Sequence, residues 1–155
     1  MFTGDNYRNV TATGAENFTL ETGDYETIIV NTTNETSSLI IQEGDDINST
    51  YFILEAGAVI HRGSLSIGQE MNMSNGTFFY DNGTTTRLGF TINLNGTLEV
   101  WTNLINGSTL EIGTTGKLTL IAPNTTDMNY TLNITFEDLT ILPGGIINAT
   151  GRGYE

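Results

Sequence analysis

Asparagine followed two positions on by Ser or Thr occurs fourteen times in this 155-residue chain: at Asn9, Asn17, Asn31, Asn34, Asn48, Asn72, Asn75, Asn82, Asn95, Asn106, Asn124, Asn129, Asn133 and Asn148. Such a triplet offers a carboxamide nitrogen for attachment of a sugar, provided the middle residue is not proline, which it never is here. With 17 Asn and 34 Ser or Thr in 155 positions, chance would place roughly four Asn in such triplets. Twelve of the fourteen use Thr. A polar strand face of period two would also set Asn beside Thr. That explanation does not account for an Asn, a poor strand former, that so seldom occurs outside the triplet. N-glycosylation of these asparagines is therefore expected, and it requires them to face solvent outside the cytoplasm.

Other reactive groups are sparse. His61 is the one histidine, set between Ile60 and Arg62. No Ser-His-Asp order, His-Glu-x-x-His helix, phosphate-binding glycine loop or dinucleotide fingerprint is present, so nucleophilic catalysis lacks its base. Glycoside hydrolysis needs two carboxylates, and Glu99 and Glu111 occupy equivalent places in two Leu-Glu-aliphatic segments, where they could lie side by side. The plainer reading is two solvated residues on a polar face, with Trp101 the one Trp available to line a sugar groove. The turn Glu43-Gly44-Asp45-Asp46 offers oxygens of the kind Ca²⁺ takes, yet falls short of a known loop motif. A structural calcium aside, no cofactor is expected, and neither is enzymatic activity.

Charge narrows the partners. Five basic residues, Arg8, Arg62, Arg87, Lys117 and Arg152, stand against eighteen acidic ones for a net charge of -13, which repels nucleic acid and anionic lipid alike. There is no cysteine, which removes disulfides, thiol nucleophiles and zinc-thiolate sites. The start, Met1-Phe2-Thr3-Gly4-Asp5-Asn6, lacks the basic and apolar regions of a signal peptide. No later stretch approaches the roughly 20 apolar residues of a membrane span.

The elements that must position these groups are strands. Thr, Ile, Val, Phe and Tyr are plentiful and helix formers scarce, so the chain reads as all-β. Doublets of Leu-x-aliphatic recur at Leu65/Ile67, Leu98/Val100, Leu110/Ile112, Leu118/Leu120, Leu132/Ile134 and Leu139/Ile141, each pointing two side chains to one face. Further short strands are expected at 18–20, 27–30, 38–41, 51–54, 58–60, 77–80 and 89–94. Turns are expected at Thr22-Gly23-Asp24, Glu43 to Asp46, Asn75-Gly76, Asn82-Gly83, Asn95-Gly96, Asn106-Gly107, Gly113 to Gly116 and Pro143-Gly144-Gly145. Nothing interrupts this pattern, so residues 1–155 read as a single all-β domain. A repeat at an offset of 88 sets Ile53 to Val59 beside Ile141 to Ile147.

Two architectures fit. In a parallel β-solenoid, or stack of β-arches, Leu and Ile pile up inside and Gly or Asn takes the corners. In an antiparallel sandwich or jelly roll the Asn-Gly pairs would be hairpin turns. The stretch Leu139 to Tyr154, with Leu-Pro-Gly-Gly-Ile-Ile-Asn-Ala-Thr-Gly-Arg-Gly at its centre, resembles a repeat unit of large β-solenoid surface proteins. In composition and sequon density the chain resembles archaeal surface glycoproteins that assemble into sheaths, threads or layers. The resemblance implies a polymerising structural role at the cell surface and brings no site residues with it. Unguarded edge strands at the ends of such a fold would pair with another copy, which makes the expected partners the chain itself and its covalent glycans. The alternative is an adhesive or glycan-binding module of a larger surface protein.

Overall fold

A computed structural model describes residues 8–32, 37–80, 84–88, 91–100, 104–120 and 133–149. Its strands are β1 (Arg8–Gly14), β2 (Phe18–Leu20), β3 (Gly23–Thr32), β4 (Ser38–Ile41), β5 (Asp46–Ala56), β6 (Ala58–His61), β7 (Ser64–Met73) and β8 (Thr77–Tyr80). They continue as β9 (Thr84–Leu88), β10 (Thr91–Leu94), β11 (Thr97–Val100), β12 (Leu104–Ile112), β13 (Lys117–Leu120), β14 (Asn133–Ile141) and β15 (Ile146–Asn148). Among the described residues there is no helix, and so none long and apolar enough to cross a membrane.

The chain winds as a parallel β-solenoid. Strands run alternately into a long sheet, ordered β1-β3-β5-β7-β10-β12-β14 with β9 also on β7, and a short sheet, ordered β2-β4-β6-β8-β11-β13-β15. Every pairing among the described residues is parallel, so no described Asn-Gly closes a hairpin, and the fold is the solenoid rather than the antiparallel sandwich.

Register turns the apolar doublets into columns. On the long sheet Val10, Ile28, Phe52, Met71, Ile92, Leu110 and Leu139 lie in one row across the strands, and Ala12, Val30, Leu54, Met73, Leu94, Ile112 and Ile141 in another. On the short sheet the row is Phe18, Leu39, Val59, Phe78, Leu98, Leu118 and Ile147. These rows face each other and form the core, in which Phe52 and Phe78 meet edge to face with centroids 5.7 Å apart. Like residues stack on like because each coil repeats the same two-sided requirement.

The corners leading from the long sheet to the short one carry a glycine spine. Gly57, Gly76, Gly96, Gly116 and Gly145 each precede a short-sheet strand, and the residue after each of the last four donates its N–H to the carbonyl of the preceding spine glycine at 2.8–3.0 Å. A methyl group on Gly76, whose φ is +90°, would sit 2.5 Å from the Gly57 carbonyl oxygen. Only a residue without Cβ lets the backbones stack this closely at that dihedral.

Several sequence expectations needed correction. Asn106-Gly107 is not a turn but the middle of β12, where Asn106 pairs with Thr135 and Gly107 with Phe136 of β14; a ladder on the neighbouring strand outweighs local turn preference. Gly23 and Asp24 likewise open β3. Short strands were expected at 27–30 and 51–54, yet β3, β5 and β7 run to 10, 11 and 10 residues, because polar stretches such as Asp46-Ile47-Asn48-Ser49 alternate correctly and join the apolar ones. The 88-residue repeat is exact on the short sheet, where four steps of the row lead from Val59 to Ile147. On the long sheet the row that ends at Ile141 starts from Leu54, not Ile53. The corner after β14 holds more residues than the single Gly57 after β5, and that shifts the alignment by one.

Candidate functional site

The alternation that buries one side chain exposes the next, so each sheet has an outer face with its own chemistry. Of the sequon asparagines, Asn9, Asn31, Asn48, Asn72, Asn106 and Asn133 lie in long-sheet strands. Asn17, Asn75 and Asn95 lie at corners leading from the long sheet to the short one, and Asn148 ends β15 on the short sheet. Asn34, Asn82, Asn124 and Asn129 lie outside the described residues, as do Trp101 and Leu132. Asn9, Asn17, Asn31, Asn48 and Asn75 are exposed, and Asn72, Asn95 and Asn148 half-buried. None of these eight points into the core.

Local bonds orient several of them. Ser38 donates to Asn17 Oδ1 from its backbone N–H at 3.0 Å and from its hydroxyl at 3.2 Å. This fixes the carboxamide by its oxygen rather than by the nitrogen that would carry a sugar. Asn31 donates from Nδ2 to Glu55 at 2.7 Å, and Asn48 to Asp24 at 3.0 Å, each across adjacent coils. Asn93, which is not in a sequon, does the same to Glu70 at 2.8 Å. The long sheet thus carries Asn–carboxylate rungs on its outer face. Exposed bonds of this kind contribute little to stability, but they line the amides up along one side of the molecule.

Charge is divided in the same way. The long-sheet strands hold eight acidic residues: Asp24, Glu26, Asp46, Glu55, Glu70, Glu111, Glu137 and Asp138. The short-sheet strands hold one acid, Glu99, and one base, Lys117. The outer positions of β4, β6 and β8 are Ile40, Ala58, Ile60, Thr77 and Phe79, all half-buried, flanked in the same rows by Thr19, Thr97 and Thr119, with Ile146 49% exposed at the edge. This apolar stripe was missed at the level of sequence, although Ser38-Leu-Ile-Ile, Ala58-Val-Ile-His and Thr77-Phe-Phe-Tyr carry its signal. They are near-continuous apolar runs where one buried face would ask only for alternation.

Glu99 and Glu111 are not side by side. Glu99 stands in β11 between Phe79 and Thr119, and Glu111 in β12 between Asn93 and Thr140, so the two belong to different sheets and face outward on opposite sides. The sequence equivalence is real but refers to the two halves of one coil rather than to neighbouring coils.

At the acidic turn, Asp45 accepts a bond from the Gln42 N–H through Oδ2 at 3.2 Å, and Asp46 N–H donates to Thr22 Oγ1 at 2.9 Å. Among the described residues no three His, Asp or Glu side chains gather as metal ligands. His61 is fully buried in the short sheet between Ile41 and Tyr80 in register, its ring 5.9 Å from that of Phe78. Burial alone lowers its pKa from 6.5 to about 4, because the charged form would lose its hydration. The histidine packs with the core.

The last coil differs from those before it. Leu110 and Ile112 are 0% exposed, whereas Leu139 and Ile141, next in the same rows, are 50% and 46% exposed. β14 and β15 are at the edges of their sheets, as are β1 and β2 at the other end, so each sheet ends in a strand with one side unpaired by the described strands. Comparison with protein families, with curated proteins and with solved structures finds no match to this chain.

Proposed function

We propose that the chain is a structural subunit of an extracellular, N-glycosylated cell-surface polymer, a filament, sheath or layer, in which copies join by strand pairing at the ends of the solenoid, and that it catalyses no reaction. The observation that carries this reading is the last coil, where Leu139 and Ile141 present core side chains beside the edge of β14 that no described strand pairs. A following copy docked with β1 against β14 and β2 against β15 would continue both parallel sheets, and it would set Val10 beside Leu139 and Ala12 beside Ile141. Such an edge templates pairing, and repeated pairing produces a heat-resistant polymer. Charge favours the same match, since β1 begins with Arg8 while β14 carries Glu137 and Asp138. The sequons support the location and the glycans, as all eight asparagines with described side chains are at least partly open to solvent. The opposite-facing Glu99 and Glu111 offer no carboxylate pair for glycoside cleavage.

The test is the intact mass of native material before and after sugar removal, with electron microscopy of the same sample. The expected result is a mass several sugars above the 16.8 kDa polypeptide, on extended polymers that Ile141→Lys shortens or abolishes. A bare polypeptide mass on monodisperse monomers would overturn the proposal.

A further inference from the structure

The short sheet's outer face calls for an occupant. Ile40, Ala58, Ile60, Thr77 and Phe79 form a stripe across three adjacent strands, β4, β6 and β8, none of which bears an acidic or lysine side chain. Parallel strands with near-continuous apolar sequence are those covered on both faces, yet here the outer positions are only half-buried.

We infer that this face packs against the same face of a second copy, so that the assembled structure is two-ply, with the long sheets and their sequons outward on both sides. The partner follows from the distribution of charge and of sequons. At a net charge of -13 two copies repel, and eight acids and six sequon asparagines occupy the long-sheet strands. The short-sheet strands hold one acid, one base and one sequon asparagine, Asn148, at the far edge. Two copies can therefore approach through this face with the least repulsion, and among the described strands its one sequon, Asn148, stands at the edge, away from the stripe. A two-fold axis lying between the two copies and parallel to their sheets would bring the stripe of one onto the stripe of the other, which is the self-complementarity of an isologous contact.

Size sets how the contact works. Seven strands about 4.8 Å apart and four residues long present a face of roughly 30 by 13 Å, so a pair covers about 800 Å² in all, at or below the low end of specific interfaces. One pair of subunits would hold together weakly. Copies already aligned by end-to-end pairing would add their contacts, and two polymers would adhere far more strongly than two monomers. The inference rests on the surface-polymer reading for the high local concentration of its partner.

The absence of cysteine allows a clean test. Ala58→Cys places one thiol on the short-sheet face and Thr27→Cys one on the outer face of the long sheet. Sheets packed face to face are about 10 Å apart, beyond direct disulfide reach, so assembled material is treated with a short bis-maleimide. The expected result is cross-linked dimers from A58C and at least tenfold fewer from T27C, while Ile60→Lys reduces two-ply polymers to single-ply ones of unchanged length. Equal cross-linking of the two thiols, or unchanged thickness in I60K, would overturn the inference and leave end-to-end polymerisation standing. Should native material be monomeric, the polymer reading falls instead, and A58C cross-linking at millimolar concentration still decides the pairing: A58C dimers in excess of T27C dimers uphold it, and their absence refutes it.

Discussion

On the long sheet the residues between core positions are mostly polar, with Asp24, Asn48, Glu70 and Asn72 beside Ile29, Tyr51 and Ile53, whereas in β4, β6 and β8 of the short sheet the same alternation yields Ile40, Ala58, Ile60 and Phe79. The inner faces show no such contrast, being rows of Leu, Ile, Val and Phe on both sides, with Met71 and Met73 added on the long sheet. A solenoid dictates only its inward positions and its corners, so the outer faces are free to diverge toward what each must meet. On the proposed reading the difference between the sheets concerns contacts outside the chain rather than folding, and it can be attacked from both directions.

The largest effects are expected where the sheets are alike. Phe52 on the long sheet and Phe78 on the short one are fully buried and touch each other. Phe52→Ala and Phe78→Ala should each destabilise the fold by about 3–5 kcal/mol, measured by denaturant unfolding of isolated copies. If one substitution cost far less than the other, the two sheets would not share one core.

Next come the corners. Gly76→Ala meets both a positive φ and the Gly57 carbonyl oxygen, and a loss of about 3 kcal/mol is expected. Gly44 turns from the short sheet back toward the long one at φ +91° with nothing within 4 Å of an added methyl. Gly44→Ala should cost about 1–2 kcal/mol, the dihedral strain alone. Equal losses would mean that the spine has room and that its glycines serve only the turn.

Acid should distinguish the sheets through His61. Its folded-state pKa of about 4 lies below the unfolded value of 6.5, so the unfolded chain binds the proton first as pH falls. The stability associated with the neutral imidazole is whole above pH 6.5, declines between 6.5 and 4 and is exhausted below 4; over this window the loss is about 3 kcal/mol. Thermal unfolding of His61→Phe should lack that share of the slope, while variants of long-sheet core residues should keep it. A wild-type slope in His61→Phe would remove the histidine from the account.

Much of this was legible in the sequence. The Leu-x-aliphatic doublets gave the inward rows, and β2, β4 and β8 coincide with the expected strands at 18–20, 38–41 and 77–80. β1 was not expected, since Arg8–Gly14 alternates Val and Ala with Asn and Thr and becomes a strand through its pairing with β3. Whether strands ran parallel or antiparallel could not be read, because Asn-Gly suits a solenoid corner and a hairpin equally. Glu99 and Glu111 misled for a related reason: a two-sheeted coil repeats its pattern twice per turn, and residues half a turn apart look like neighbours on the chain while pointing to opposite sides.

The smallest effect is the most discriminating. Asn48→Ala removes one exposed hydrogen bond to Asp24 on the long sheet, and Ile60→Thr trims one half-buried outer side chain on the short sheet without disturbing β preference. In isolated copies each should cost no more than about 1 kcal/mol, because neither outer face contributes much to the folded monomer. The two should part company only in assembled material, where Ile60→Thr weakens the pairing of polymers and Asn48→Ala, which deletes one sequon, lowers the mass by a single glycan. A loss near 3 kcal/mol for Ile60→Thr in the isolated copy would mean that the chain itself already covers the stripe. The contrast between the faces would then concern folding after all, since a face the chain buries for its own stability is not one it keeps for a second copy.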